Sequence, residues 1–309
     1  MNNNRTKPIP VILDTDIGWD IDDTWALVML LNSPELDVKL ILTATGNTPF
    51  RTRLVAKLLE AAGRTDLPIG IGLHQDDNPN MQEEWVDGFD LAKYQGIVFA
   101  DGVRALVDML MSAPEPVTLI SIAPLTNIAA ALELEPRIVE HARLIGMHGS
   151  LRRGYGDSLA PVAEYNVKVD VEACQKVFAA PWDITITPLD TCGLVALHGQ
   201  KYRRVRDAGT PLTKALMENV RIWGQNIASE WRNNLNVETD SSTLFDTVAV
   251  YLAFSEDLLQ MEHLGIRVTD EGNTVIDGQA KKIHCATGWK DLDAFEDLLL
   301  ERILGKNKA

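Results

Sequence analysis

Short apolar runs alternate along this chain with longer stretches in which apolar residues recur every three or four positions. The apolar runs predict β-strands and the longer stretches predict amphipathic helices. Strands are expected at 10–14, 38–44, 117–122, 143–147 and 183–187, with a late hairpin of 265–269 and 274–276. Helices are expected at 23–32, 50–62, 101–112, 125–132, 170–179, 211–232, 244–254 and 291–303. This alternation predicts an α/β protein, a single domain over residues 1–309 with an open, mostly parallel central sheet and helices on both faces.

Two segments stand out from this alternation. The predicted helix 211–232 carries one apolar stripe at spacings of three and four residues, formed by Leu212, Leu216, Val220, Trp223, Ile227 and Trp231. Such a stripe usually packs into the core. Residues 73–100 have weak periodicity and are expected to form a mobile loop that closes over a substrate.

Five aspartates fall within ten residues directly after the first predicted strand: Asp14, Asp16, Asp20, Asp22 and Asp23. Two carboxylates about 4 Å apart repel by roughly 4 kcal/mol at an effective dielectric near 20. No Lys or Arg lies between Lys7 and Lys39 to offset that charge. The density therefore predicts a hard, oxygen-seeking cation such as Ca²⁺ or Mg²⁺ at the carboxyl end of a strand, where open α/β sheets bind ligands. The alternative is a solvated acidic loop that caps the following helix.

Composition narrows the partners and the compartment. A chain of 309 residues with 46% hydrophobic content can bury a large core. The net charge of −15 argues against a nucleic-acid partner. Residues 1–7 lack the apolar segment of a signal peptide, and no run approaches the about 18 apolar residues of a membrane span, so a cytoplasmic protein without a membrane partner is expected. Three widely spaced cysteines, Cys174, Cys192 and Cys285, favour buried free thiols.

The acidic segment reads Asp14-Thr15-Asp16-Ile17-Gly18, followed by Asp22-Asp23-Thr24-Trp25-Ala26-Leu27. Further short blocks follow along the chain: Gly46-Asn47, Ala123 to Ala129, Gly146 to Gly149, Ala163 to Asn166, Val169 to Ala173 and Leu244 to Val250. Together and in this order, these blocks resemble the inosine-uridine-preferring nucleoside hydrolases, and the acidic segment is similar to the N-terminal signature of that family. The resemblance implies a Rossmann-like nucleoside hydrolase fold and Ca²⁺-dependent hydrolysis of the N-glycosidic bond of ribonucleosides.

The resemblance also implies roles for the acidic residues. Asp16 is expected to be both metal ligand and general base, and the further ligands are expected to be Asp23, Asp246 and the carbonyl oxygen of Ile122. Asp22 is expected to grip the ribose hydroxyls, while Asp14 orients the loop. A small nucleoside is the implied partner, and a homodimer or homotetramer is the implied assembly.

Polar residues elsewhere match the family's ribose site. Asn47, Glu164 and Asn166 correspond to its ribose-binding positions, Met147 is expected to pack near the sugar, and Ser158 stands where another hydrogen-bonding residue is expected. Each has a structural alternative, because Asn47 can cap a turn and Glu164 with Asn166 can cap the following helix. Asn127, at a helix start, is expected to be structural.

Two departures from the family pattern bear on the chemistry. Trp19-Asp20-Ile21 makes the first motif two residues longer, which leaves Asp20 open between the ribose and the metal. Phe245 stands before Asp246 where many members carry the histidine thought to protonate the leaving base, and phenylalanine has no proton to donate.

Phe245 is therefore expected to form a wall of the base pocket. Base stacking by Trp223 or Trp231, or an acid role for His148 or His74, are the alternatives for leaving-group activation, although a lone histidine is more often structural.

Two rival functions remain at this stage. Asp14-Thr15-Asp16 after a strand also resembles the start of haloacid-dehalogenase-type phosphatases, which use Mg²⁺, but that interpretation leaves the blocks around Glu164 and Asp246 unexplained. A non-catalytic nucleoside-binding protein of the same fold is the second rival, because loss of the histidine is compatible with loss of turnover.

Overall fold

The computed structural model describes residues 7–76, 80–156, 158–227 and 235–306. Ten strands form one sheet in the order β4-β3-β2-β1-β5-β6-β7-β10-β8-β9. The strands are β1 Ile9–Thr15, β2 Leu36–Thr43, β3 Ile69–Ile71, β4 Val98–Phe99, β5 Val117–Ser121, β6 Ala142–Gly146, β7 Ile184–Ile186, β8 Leu259–Val268, β9 Thr274–Ile276 and β10 Lys282–Trp289.

The described helices connect or follow these strands and cover both faces of the sheet. They are α1 Asp22–Leu31, α2 Thr48–Ala62, α3 Gly102–Ser112, α4 Thr126–Leu134, α5 Tyr165–Val169, α6 Val171–Ala179, α7 Leu189–Cys192, α8 Gly199–Arg206, α9 Pro211–Asn226, α10 Thr247–Leu252 and α11 Leu292–Ile303. Within the described ranges, no helix combines the length and apolar character needed to cross a bilayer.

The strand order contains one topological switch point. β1 pairs in parallel with β2 on one side and with β5 on the other, so the chain leaves β1 in one direction and later returns to its opposite edge. Connections that diverge in this way open a crevice beyond the carboxyl ends of the two strands. The acidic segment begins at the end of β1 and therefore lies at this crevice.

Strand β1 separates two hydrophobic layers. Val11 and Leu13 face a core built with α1, α2 and α9, whereas Ile12 faces a second core built with α3, α4 and α6. A strand buried on both faces has no polar alternation, which is why 10–14 appears in the sequence as a continuous apolar run. The expected α/β class with a mostly parallel sheet is confirmed.

The sequence-based prediction differs from the structure in several elements. It missed the strands β3, β4 and β10 and the helices α5, α7 and α8. β3 and β4 have only three and two residues, too few for a periodic signal. The helix predicted at 244–254 spans only Thr247–Leu252. The predicted helix 211–232 ends at Asn226, because Ile227 is extended with ψ 134°. Trp231 lies outside the described residues.

The prediction that 73–100 forms a mobile loop is wrong for residues 80–86. The Met81 amide donates to the Gly18 carbonyl at 3.0 Å, and fully buried Gln82 donates to the Asp20 carbonyl at 2.9 Å. Trp85 and Val86 pack into the core. This part of the segment is a fixed wall of the acidic loop, and weak periodicity failed to reveal it because its contacts are long-range.

Candidate active site

Carboxylates from two helix starts meet at the crevice. Asp22 and Asp23 open α1, Asp246 immediately precedes α10, and these two helices pack together. One oxygen from each carboxylate lies within 4.8 Å of the other two, and all three side chains are buried. The cluster contains only oxygen donors, which suits a hard divalent cation.

The electrostatics of this cluster are strained without a cation. Burial, followed by repulsion from neighbouring aspartates, raises the pKa of Asp22, Asp23 and Asp246 well above the usual range. The side chains of Asp22 and Asp246 lie within hydrogen-bonding reach of each other. The residues present therefore fit a divalent cation, which would offset the repulsion among these carboxylates.

Asp16 lies beside this cluster. Its charge raises the pKa of each of the three clustered carboxylates, and its own pKa is raised to about 6 by burial while Arg51 pulls it down. The compact triad thus contains Asp23 and Asp246 from the expected ligand set, together with Asp22, which the family resemblance assigned to the ribose. Half-buried Asp20 also has its pKa raised to about 6, by burial first, and its carboxylate accepts from the Ile21 amide at 2.6 Å.

Asp14 lies at the end of β1 and bonds residues from neighbouring elements. Its carboxylate accepts from Asn127 Nδ2 at 2.9 Å and from Ser121 Oγ at 3.0 Å. Asn127 also bonds the Thr43 carbonyl at 3.1 Å and the Leu73 amide at 2.9 Å, which ties three strand ends together. Burial raises the pKa of Asp14 to about 7. The structural interpretation of Asn127 therefore agrees with its contacts.

Ile122 follows β5 at the same edge. Its amide donates to the carbonyl of Asp14 at 2.9 Å, which holds this peptide against the end of β1. The residue is buried, and its position beside the acidic loop is compatible with the expected role of its carbonyl oxygen.

Glu164, Asn166 and Met147 form one buried hydrogen-bonded group on the β6 side of the crevice. Glu164 accepts from the Gly149 amide at 3.0 Å and from the Asn166 amide at 2.7 Å, and burial raises its pKa to about 7. Asn166 Nδ2 donates to the Met147 carbonyl at 3.0 Å. Glu164 also caps α5, as the structural alternative predicted, and it does so from a position at the crevice.

Two further predicted sugar contacts are engaged locally. Asn47 caps α2 by accepting from the Phe50 amide at 3.0 Å. The Ser158 hydroxyl accepts from the Ala160 amide at 3.2 Å within its own turn. Asn47 lies just after β2, next to the crevice, whereas Ser158 belongs to the loop between β6 and α5.

Phe245 meets an aromatic partner that the sequence did not indicate. The Tyr155 ring lies 5.9 Å from the Phe245 ring, centroid to centroid, in an edge-to-face arrangement. The Tyr155 hydroxyl accepts a hydrogen bond from the Tyr165 amide at 3.0 Å. Tyr155 is 42% exposed and feels the charges of Glu164 and Asp22. An aromatic wall therefore stands beside the acidic cluster.

The other candidates for leaving-group activation are placed less favourably. Trp223 is 3% exposed within the core, which favours the structural interpretation of the α9 stripe. His148 is fully buried, bonds the Ala123 carbonyl at 3.0 Å through Nε2, and has its pKa lowered to about 4 by burial. Burial therefore holds His148 neutral. His74 is exposed in the loop after β3.

Arg51 is the second residue at the crevice that sequence reasoning missed. It lies on α2, 28 positions after Asp23, so a search for cations near the aspartates in sequence passed over it. The residue is 3% exposed, and its positive charge lowers the pKa of both Asp16 and Asp23. A buried arginine in an otherwise apolar helix face was the available signal.

Comparisons with known proteins point in one direction. The family model described as inosine-uridine preferring nucleoside hydrolase matches residues 11–297. The pyrimidine-specific ribonucleoside hydrolase RihA of Citrobacter koseri is 34% identical over 225 residues, which cover 68% of this chain and 69% of that protein.

Solved structures share the fold. A plant nucleoside hydrolase, PpNRh1, superposes with a TM-score of 0.80 at 22% identity, over 96% of this chain and 99% of that one. A purine-preferring ribonucleoside hydrolase from Gardnerella vaginalis superposes with a TM-score of 0.78 at 22% identity, over 96% of this chain and 99% of that one.

Proposed function

This chain belongs to the inosine-uridine preferring nucleoside hydrolase family and is a nucleoside hydrolase, and we propose that it cleaves the N-glycosidic bond of ribonucleosides in a Ca²⁺-dependent reaction. The observation that carries the proposal is the buried all-carboxylate cluster of Asp22, Asp23 and Asp246, with Asp16 beside it at the switch point of the sheet. The family match over residues 11–297 also argues against the phosphatase alternative.

The residues proposed to hold Ca²⁺ are Asp16, Asp23, Asp246 and the Ile122 carbonyl, with Asp22 available as a further ligand or as a ribose contact. When bound, the cation supplies Lewis acidity that makes water a better nucleophile at neutral pH. The support for this set is the oxygen-donor chemistry and the mutual repulsion of the buried carboxylates.

Asp16 is proposed as the general base. Its carboxylate accepts a proton from the attacking water as the new bond between that oxygen and the anomeric carbon forms. The bond between the anomeric carbon and the base nitrogen breaks at the same centre, and its electron pair leaves with the base. Asn47, Glu164 and Asn166 are proposed to bind the ribose hydroxyls, with Met147 against the sugar and Ser158 at the edge of the loop.

The departing base is proposed to lie against Phe245. This ring and the Tyr155 ring give apolar and edge-on contacts, and Phe245 carries no proton to donate. The departing nucleobase therefore takes its proton from elsewhere, which makes turnover sensitive to leaving-group ability. The Citrobacter koseri relative is named as pyrimidine-specific, and both purine and pyrimidine nucleosides belong in the test.

We further propose that the chain works as one domain in the cytoplasm and assembles as a homodimer or homotetramer, as the family resemblance implies. Ribose release from inosine, adenosine, uridine and cytidine, measured with Ca²⁺ and with a chelator, tests the activity. Calcium-dependent release supports the proposal. Nucleoside binding by calorimetry without ribose release would instead identify the non-catalytic binding protein.

A further inference from the structure

Arg51 connects two loops of the crevice through a single side chain. Its Nε donates to the Thr45 carbonyl at 2.7 Å, and its Nη1 donates to the Ile17 carbonyl at 2.8 Å. The Ile17 carbonyl directly follows Asp16 at the end of β1, and Thr45 lies two residues before Asn47 at the end of β2. One planar guanidinium therefore fixes the distance between two loops that leave neighbouring strands.

The Thr45 loop has an unusual backbone. Thr45 has φ 62°, the left-handed conformation, which it shares with no other non-glycine residue in the described ranges. A threonine in this region is sterically strained and persists only where surrounding contacts hold it. Arg51 supplies such a contact, and Gly46 follows with φ 60°, where a Cβ atom would lie 3.4 Å from Arg51 Nη2.

The charge of Arg51 also belongs to the site. The positive charge of Arg51 lowers the pKa of Asp16 and of Asp23. The side chain is 3% exposed, so solvent screens this charge weakly. Both of its hydrogen bonds go to backbone carbonyls and neither goes to a carboxylate. Arg51 is therefore placed to orient the two loops.

We propose that Arg51 is a positioning residue for the reaction: its guanidinium joins the loop of Asp16 to the loop of Asn47 and sets the spacing between the water-activating carboxylate and the ribose-binding amide. This inference rests on the proposed function, since it assigns roles to Asp16 and Asn47. Misplacement of a reacting group by about 1 Å can cost about 10²-fold in rate.

Two substitutions separate the bridge from the charge. Arg51→Met removes both, whereas Arg51→Lys keeps the charge but replaces the planar fork by one flexible ammonium group. Arg53→Met is the matched control, because Arg53 lies on the same helix, is half-buried and contacts the Phe50 ring at 6.0 Å. Each variant is assayed with p-nitrophenyl riboside and uridine for kcat and KM, and with Ca²⁺ by calorimetry.

Because both loops lose their spacing, Arg51→Met is expected to lower kcat about 10²-fold and to raise KM about tenfold. Arg51→Lys is expected to remain at least about tenfold below wild type in kcat/KM. The Ca²⁺ affinity of Arg51→Met is expected to equal or exceed that of the wild type, since a repelling cation is gone. Loss of turnover without loss of Ca²⁺ is the signature of positioning, which general collapse of the site does not produce.

The inference is overturned if Arg51→Lys matches the wild type, if Arg51→Met changes only one of kcat and KM, or if its Ca²⁺ affinity falls in step with kcat. Equal losses in Arg51→Met and Arg53→Met also overturn it. If Arg51→Met does not fold, the Arg51→Lys comparison decides the question. A wild type that releases no ribose from any substrate instead refutes the proposed function, so the two failures are distinct.

Discussion

Replacement of Asp246 by asparagine is expected to stabilise the metal-free protein and to abolish its stabilisation by Ca²⁺. Asp246 is buried against Asp22 and Asp23. Burial is the main cause of its raised pKa, and repulsion by these two neighbours raises the pKa further. Asp246 also precedes α10 without capping it through its side chain, so the substitution removes no helix cap. The asparagine side chain keeps the shape of the carboxylate and removes its charge.

The size of this effect follows from the geometry. The three ligand oxygens lie within 4.8 Å of one another, a separation at which two unit charges repel by about 3.5 kcal/mol at an effective dielectric of 20. Unfolding a chain of 309 residues carries an entropy of about 0.65 kcal/mol/K. Relief of one repulsion therefore raises Tm by about 5 °C, whereas Ca²⁺ at a hundredfold its Kd raises the wild-type Tm by about 4 °C.

Calorimetric melting at pH 8, with Ca²⁺ and with a chelator, measures both effects. Asp37→Asn is the control, because Asp37 is an exposed surface residue paired with Lys39. The expected pattern is a higher Tm without metal and no Ca²⁺ shift for Asp246→Asn, with wild-type behaviour for Asp37→Asn. A lower metal-free Tm, or a Ca²⁺ shift as large as that of the wild type, would refute the cation site.

Three further predictions concern the chemistry and its pH dependence. Asp16→Asn is expected to lower kcat by about 10²- to 10⁴-fold, because a carboxamide accepts no proton; near-normal turnover with Ca²⁺ bound, measured by single-turnover ribose release and calorimetry, would contradict the role. The Tm of the metal-free protein is expected to fall as pH rises from about 4 through about 7. Folding raises the carboxyl pKa values of Asp14 and Glu164 to about 7, so over this range the folded state keeps protons that the unfolded chain releases. A Tm that rises over this range in chelator-treated scans would contradict the raised pKa values. Wild-type kcat/KM is expected to favour p-nitrophenyl riboside over ordinary nucleosides, and Phe245→His to narrow that gap; equal rates for all leaving groups, unchanged by the substitution, would refute the aromatic wall.

The sequence by itself determined the fold class and the family, and it marked the candidate site. Apolar runs at the positions of β1, the second half of β2 and β5 mark strand segments buried on both faces. This signal is local because each residue of such a segment faces a core. The carboxylate density from Asp14 to Asp23 predicted a cation for a reason that holds in any fold, since like charges repel. The α/β class and family membership are both confirmed.

The tertiary structure decided which atoms meet. Asp22 joins Asp23 and Asp246 because α1 packs against α10, a contact between segments more than 200 residues apart. Arg51 and Tyr155 reach the site from α2 and from the loop after β6, and no spacing along the chain places them there. Side-chain periodicity records which face of an element is buried, whereas the partner across a crevice depends on how distant elements pack, and that information is absent from local sequence.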